Sequence, residues 1–334
     1  METKIHKPVD PKALKSRAIS SFELEQRNWQ DVASILLKFK RILSSACLIC
    51  GNSDNSNLVA TVYGVDFIEC PNCGHLYQKY MIDEQDIITF FKKDTFVSLH
   101  VDDEQFRYRL ECVNKPKVDE VLKFVDSKGK WLDVACGAGE LLYYVKSIGF
   151  DAYGFDISNP GCEMAKRYGL NVEQADLYHY KEKHKDEKYD VVSMIGYLDM
   201  ISNPTDHIRT INDMLNNEGV VIIDQPRYDS FACELIKICP NTSLRYLNPL
   251  QRSVFSKKSL LKMLHDANFE PLLLWGIGLD FYELLSTMCL HIPSFNSSKP
   301  FNFLLDNYNT FQKVFDKNNV SDTMIVVARK NKEK

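Results

Sequence analysis

The chain has 334 residues, 45% hydrophobic and 11% aromatic, which is ample for a buried core and longer than one typical domain. A formal charge of -4 supplies no global field for a polyanion, so nucleic acid is a disfavoured partner. No run of 18 apolar residues is present and the start METKIHKPVDPKALK lacks the apolar segment of a secretory signal, which together predict a cytoplasmic protein without a membrane span.

Residues 1–45 read as an N-terminal helical extension. They carry nine Lys/Arg against five acids, a balance that a solvated helical face explains. Phe22, Leu24, Trp29, Val32, Ile35, Leu36, Phe39 and Ile42 recur near helical spacing, which predicts one amphipathic helix over 20–43. Residues 46–80 contain two Cys-x2-Cys pairs, Cys47 with Cys50 and Cys70 with Cys73, and short strands are expected between them over 58–63 and 66–69. Four thiolates in two such turns suit a tetrahedral structural Zn²⁺ with no open position for catalysis, so this segment reads as a zinc ribbon. His75 is a substitute ligand in principle, but with four thiols at hand its expected role is packing or hydrogen bonding. The other six cysteines, Cys112, Cys136, Cys162, Cys233, Cys239 and Cys289, are scattered and read as reduced thiols.

A helical connector follows over 81–128, with helices expected at 83–93 and 106–125. From Lys130 strand and helix alternate, as parallel α/β units require. Strands are predicted at 131–134, 152–155, 172–174, 189–194, 219–223, 271–275 and 322–328. The last two stand about 45 residues apart, too far for a hairpin loop, so a helical insertion over about 281–320 is expected to form a lid.

The run Asp133-Val134-Ala135-Cys136-Gly137-Ala138-Gly139 places an acid at a strand end before a turn of small residues. Such a turn lets backbone approach a ligand at the start of the next helix. A dinucleotide site wants glycine at 137, 139 and 142, but position 142 is leucine. Asp156 ends the next strand, where a carboxylate can accept from both hydroxyls of a ribose, and Asp176 ends the third.

On these residues the chain from about 130 to 330 resembles the class I S-adenosylmethionine (SAM) dependent methyltransferases, with LDVACGAG, YGFDIS and EQADL as the three matching motifs. The resemblance implies an α/β, Rossmann-like sheet with helices on both faces over 129–334, preceded by the zinc ribbon and the N-terminal helix. It further implies that Asp133 and the Gly137 to Gly139 backbone hold the methionine portion of SAM, Asp156 the ribose, and Asp176 and Leu177 the adenine, with Ala135 and Ile157 as further cofactor-binding positions. Alanine at 135 stands where the family usually has its first glycine. The order of ribbon, helices and SAM core is also similar to bacterial sugar C-methyltransferases and to methyltransferases of surface-polysaccharide or natural-product clusters.

That second resemblance implies transfer of a methyl group to a small polar metabolite, a sugar or nucleotide-sugar, bound between the loops after the fourth and fifth strands and the 281–315 insertion. Relatives often carry histidines where this chain has Met200 and Gln251, so two candidate bases are missing. Tyr197, Asp199, Gln225, Arg227 and Tyr228 lie past the strand ends where open α/β sheets bind substrates; Asp199 is the first choice as base, with Tyr197 beside it. His100, His207 and His265 remain as further candidates. Two alternatives stay open: an RNA methyltransferase gripping phosphates with its ribbon and basic N-terminus, and a SAM-binding protein without catalysis.

Overall fold

The computed structural model describes residues 1–14, 21–54, 56–92, 103–242 and 244–332. Lys15 and Arg17 of the basic stretch, Lys93 at the end of an expected helix, and the candidate base His100 lie outside the described residues.

Fourteen strands are present among these residues: β1 (Glu2–Ile5), β2 (Arg41–Leu43), β3 (Asn57–Val62), β4 (Val65–Glu69), β5 (Leu76–Gln78), β6 (Tyr80–Ile82), β7 (Lys130–Val134), β8 (Asp151–Asp156), β9 (Asn171–Gln174), β10 (Tyr189–Ile195), β11 (Leu215–Pro226), β12 (Ser253–Val254), β13 (Phe269–Ile277) and β14 (Thr323–Lys330). Eight of them make one sheet in the order β1-β13-β14-β11-β10-β7-β8-β9. β7 is parallel to both β8 and β10, and β14 runs antiparallel between β11 and β13. The chain therefore travels outward from β7 through β8 and β9 and then returns to the other side of β7 as β10. That reversal opens a crevice at the carboxyl ends of β7 and β10, the place where open α/β sheets bind ligands.

The sheet is buried on both faces, as its near-continuous apolar strands require. Leu132, Val192, Val221 and Val326 point into one core with Ile208, Ile211 and Leu264, whereas Trp131, Val191, Val220 and Ile325 point into another with Leu142, Val145 and Ala165. Neighbouring residues of each strand thus feed opposite layers. The flanking helices start where polar caps stop the preceding chain. Ser158, Asn203, Ser230 and Ser256 each accept a hydrogen bond from the backbone N–H three residues on.

Three features depart from the sequence reading. Residues 2–5 form β1, an edge strand paired in parallel with β13; four residues among prolines and charges carry too little pattern to announce themselves without their partner. The N-terminal helix is Phe22–Leu36, not 20–43, and Arg41–Leu43 instead pair with β6, a tertiary choice that helical spacing alone does not reveal. The ribbon strands β3, β4 and β5 are joined by β12, from 170 or more residues later, so one sheet runs β12-β5-β4-β3. Ser256 Oγ and Lys258 Nζ then donate to the carbonyls of Cys73 and Asn72, and Cys47, Ile49, Cys70 and Cys73 share the main core. The ribbon is welded to the large sheet.

Three helices, Asp280–His291, Lys299–Asp306 and Tyr308–Lys317, separate β13 from β14. They pack on the N-terminal helix, with the Phe22 ring 5.8 Å from Tyr282 and 6.4 Å from Phe301. At their base, Asp280 accepts from the backbone of Ala232 and Asp322, while Gln312 links Asp280 to Asp316. Burial, then the neighbouring Asp322, pushes the Asp280 carboxyl well above the usual carboxylate range. Among the described residues no helix is long and apolar enough to cross a membrane.

Gly278 lies against this acid cluster: a Cβ there would fall 2.4 Å from Asp280 Oδ2 and 2.8 Å from Asp322 Oδ1. Gly278→Ala should therefore destabilise the protein by about 2 to 3 kcal/mol through overpacking, whereas Gly276→Ala, whose Cβ would meet only Ser321 Oγ at 3.9 Å, should stay within about 0.5 kcal/mol. Thermal melts of the two variants check the contrast; equal effects would contradict it.

Candidate functional site

The turn after β7 is built from left-handed residues. Ala135 has φ 55°, Gly137 54° and Gly139 83°. Gly139 is dictated by packing, because a Cβ there would lie 2.4 Å from Leu170 Cδ1 and 3.2 Å from Ala165 Cβ. Gly137 is different: nothing lies within 4 Å of its would-be Cβ, so that face of the backbone is open to the crevice. The turn is pinned by Asp156 at the end of β8. Asp156 Oδ2 accepts from Gly137 N at 2.8 Å and Oδ1 accepts from Ser158 N at 2.7 Å. Burial raises the Asp156 carboxyl against the lowering effect of these bonds.

Asp133 is buried at the floor. Ser193 Oγ donates to its Oδ1, and Trp131 Nε1 donates to the same Ser193 hydroxyl at 3.0 Å. Burial pushes Asp133 up to about 7. Asp176 caps the helix Leu177–Lys183 by accepting from His179 N at 2.9 Å. Burial opposes its ionisation, but the His179 backbone and ring hold it below the usual carboxylate range.

Two cavities meet over this turn. The smaller, about 300 Å³, is lined by Asp156, Ile157, Asp176, Leu177, Tyr197 and His207. The larger, about 500 Å³, starts at Asp133, Gly137 and Glu140 and extends outward to Glu25, Trp29 and Arg245. Phe91, Ala135, Gly137 and Met200 belong to both walls, so the two are chambers of one cleft. Of the eight residues that the resemblance assigns to the cofactor, seven line the cleft; Gly139 stands behind it and shapes the turn.

The candidate catalytic residues separate. Tyr197 is in the wall of the smaller chamber, its hydroxyl 2.7 Å from His207 Nδ1. His207 is held down to about 4 by burial, so its ring is neutral near pH 7 and an unsuitable base there. Asp199 lines neither chamber. It is 2% exposed, Gln251 Nε2 donates to its Oδ2 at 2.9 Å, its backbone N–H donates to Gln225 Oε1, and burial pushes it up to about 6. Arg227 pairs with Asp229 at 2.8 Å and donates to Asn319, whereas Tyr228 donates to Glu69 of β4 and so fastens the ribbon; neither lines the cleft. His265 is an 89% exposed side chain beside Asp266.

The 281–315 helices do not form a lid over the cleft, because none of their residues lines it. They act at one remove: Glu283 lies 3.9 Å from Arg245 Nη1, and Asp322 pairs with the same nitrogen at 2.8 Å. The outer wall comes from the N-terminal helix and the 244–250 segment. Trp29 joins the two by donating from Nε1 to Leu244 O at 3.1 Å.

Arg109 and Asn114 were illegible in the sequence. The segment Arg109–Asn114 is a π-helix, whose wider turn brings residues five apart to one face, and both line the larger chamber. Arg109 Nε donates to Glu140 Oε1 at 2.9 Å. At the ribbon, the four cysteine sulfurs lie within 4.8 Å of one another, with Cys47–Cys73 at 3.5 Å and Cys50–Cys70 at 3.6 Å. A tetrahedron with Zn–S near 2.3 Å has edges of about 3.8 Å, so the set fits a Zn²⁺. His75 packs between Tyr77 and Phe255 with neither ring nitrogen bonded among the described residues, which makes it a packing residue.

An alanine at φ 55° carries the left-handed penalty that glycine avoids. Ala135→Gly should thus raise stability by roughly 0.5 to 1 kcal/mol, the relief of strain exceeding the added chain entropy. A lower melting temperature in that variant would contradict the strain.

A family described as a methyltransferase domain matches residues 106–274, from the π-helix region through most of β13. The chain is 29% identical over 146 residues to ubiquinone biosynthesis O-methyltransferase of Shewanella pealeana, covering 41% of this chain and 55% of that protein. It is 28% identical over 148 residues to the protein of the same name from Shewanella halifaxensis, covering 41% and 55%. The chain thus spans about half the length of the curated relatives it matches. Among solved structures it is similar to a SAM-dependent methyltransferase from Archaeoglobus fulgidus, at 18% identity and TM-score 0.48 over 71% of this chain and 100% of that one. It is also similar to magnesium protoporphyrin IX methyltransferase from Synechocystis PCC 6803 with SAH bound, at 16% identity and TM-score 0.48 over 75% and 100%. The family match takes in half of the chain, including β7, its left-handed turn, Asp156 and Asp176, and on that basis the chain belongs to the SAM-dependent, class I methyltransferase-domain family.

Proposed function

We propose that this protein is a SAM-dependent methyltransferase whose acceptor is a small polar metabolite, a saccharide or nucleotide-sugar. The observation that carries the reading is the two-chambered cleft with the open Gly137 backbone at its junction and Asp156 beside it. Asp156 uses one acceptor direction on each oxygen for Gly137 and Ser158, and a carboxylate has about four, which leaves two for ribose hydroxyls. Ile157, Asp176 and Leu177 then flank the adenine in the smaller chamber. In the larger chamber the inner end suits an α-amino acid: Arg109 and Asn114 for its carboxylate, Asp133 and Glu140 for its ammonium. Bound in this way, SAM supplies a methyl group activated by its sulfonium.

The protein's own part is placement. Phe91 and Met200 close the junction against water, and the outer chamber holds the acceptor in line, which can account for much of a displacement rate. Trp29 and Phe91 offer aromatic faces while Arg245, Tyr246 and Asn248 offer hydrogen bonds, a combination that suits a ring with one apolar face and many hydroxyls. In this reading Tyr197 orients the adenosine side through His207, and Asp199 positions the Gln251 segment rather than touching the reacting atoms. The divisions at residues 46, 81 and 129 are kept, with Cys47, Cys50, Cys70 and Cys73 holding a structural Zn²⁺.

Replacing Asp156 by Ala should weaken SAM binding by roughly 1.5 to 3 kcal/mol, an order of magnitude or more in Kd. Calorimetry on the folded variant with unchanged affinity would remove the assignment. Metal analysis of protein purified without chelator should find one zinc per chain, and stripping it should lower the melting temperature, since metal binding supplies folding energy to a small ribbon. Protein that is metal-free yet equally stable would contradict the zinc site. The acceptor class is tested by offering methyl-labelled SAM with saccharides, nucleotide-sugars and phenols; label found on phenols alone would contradict the saccharide reading.

A further inference from the structure

The outer chamber has an asymmetry of charge that bears on its acceptor. Every described cation in its wall already has a carboxylate partner: Arg109 has Glu140 at 2.9 Å, and Arg245 has Asp322 at 2.8 Å and Glu283 at 3.9 Å. Two acids in the wall have no such partner, Asp133 at the inner floor and Glu25 at the outer end. Glu25 is half-buried and makes no ion pair among the described residues. Around the outer end three carboxylates, Glu25, Glu283 and Asp322, therefore stand against one guanidinium. The same field is felt behind the wall, where burial first and then Glu25 and Glu283 push the phenols of Tyr63 and Tyr282 up.

Glu25 and Trp29 are four residues apart on the helix Phe22–Leu36 and both line the cavity, so they present a carboxylate and an indole on one face. Trp29 is held in place by its Nε1–H bond to Leu244 O. A carboxylate next to an indole attracts an ammonium, through a charge-assisted hydrogen bond on one side and the ring quadrupole on the other. A phosphate in the same place would meet an unpaired acid and one guanidinium, Arg245, already engaged by carboxylates.

We infer that the acceptor carries a positively charged amino group, recognised by Glu25 and Trp29 at the outer end of the cleft, so that within the saccharide class the protein selects an amino sugar and disfavours phosphorylated or nucleotide-linked sugars. This rests on the acceptor chamber proposed above and narrows it. The ammonium serves recognition, and the identity of the methylated atom is a separate matter. The four groups that read the acceptor are then Glu25 and Trp29 for its charge and Arg245 and Asn248 for its hydroxyls.

The test uses the full chain saturated with SAH and hexoses that differ at one position: glucosamine, glucose, N-acetylglucosamine and a phosphorylated glucose. Calorimetry should show glucosamine binding at least about tenfold more tightly than glucose or its N-acetylated form, with the phosphorylated sugar weakest. Glu25→Gln should erase that preference, and Glu25→Lys should turn it toward the phosphorylated probe. Equal binding of the amino and hydroxyl forms, tighter binding of the phosphorylated one, no binding of glucosamine, or a preference that survives Glu25→Gln would each overturn the inference. SAH affinity on the same samples reports separately on the cofactor half: wild-type protein that fails to bind SAH removes the underlying reading itself.

Discussion

The cleft depends on one carboxylate. Asp156 ties the left-handed turn after β7 to the loop after β8 by accepting from Gly137 N and Ser158 N, and without it the Gly137 N–H would lose its partner. Two packing contacts fix the rest of the geometry. Gly139 lets Leu170 and Ala165 approach the turn from behind, and Gly161 lets its helix rest against Gly137 O, where a Cβ would lie 3.2 Å away. The result is a rigid rim at the reversal of strand order, with backbone rather than side chain facing the ligand. Such rims need little reorganisation when a nucleotide arrives.

The rest of the chain is arranged to wall that rim in. The larger chamber draws on four distant stretches of sequence: the N-terminal helix through Glu25 and Trp29, the helix Glu84–Lys92 through Phe91, the π-helix through Arg109 and Asn114, and the 244–250 segment through Arg245 and Asn248. The ribbon is a buttress for the last of these. β12 joins the ribbon sheet immediately after Gln251 and Arg252, whose backbone N–H donates to Asp199 O at 2.7 Å. The four-cysteine cluster is thereby linked mechanically to the wall of the larger chamber, with Asp199 as the buried peg between them. The helices after β13 serve the same wall from another side by holding Arg245 through Glu283 and Asp322.

What the sequence made legible was local chemistry with fixed spacing. The paired cysteines stand out by their Cys-x2-Cys spacing, and the Asp133-to-Gly139 turn and the acids at 156 and 176 by their places at strand ends and by the resemblance, even though their contacts, such as Asp156 with Gly137, reach well along the chain. The acceptor side was illegible for the converse reason. Its walls are made by long-range docking, and Trp29 read simply as one apolar position among eight. The π-helix is a matter of one extra residue per turn, invisible to a periodicity count, and it is what brings Asn114 round to join Arg109. Asp199 shows the opposite hazard. An acid just past a strand end looks poised for catalysis, yet its loop folds it inward onto Gln251 and Gln225.

The central claim is that adenosine and the amino-acid end of SAM occupy the two chambers with the sulfur at their junction. A crystal structure of the protein with SAH bound tests it most directly. The account predicts ribose hydroxyls on Asp156, the sulfur beside Ala135, Gly137 and Met200, and the amino-acid carboxylate at Arg109. SAH found elsewhere on the molecule, or lying in the cleft with its adenine against Trp29 and Arg245, would contradict it.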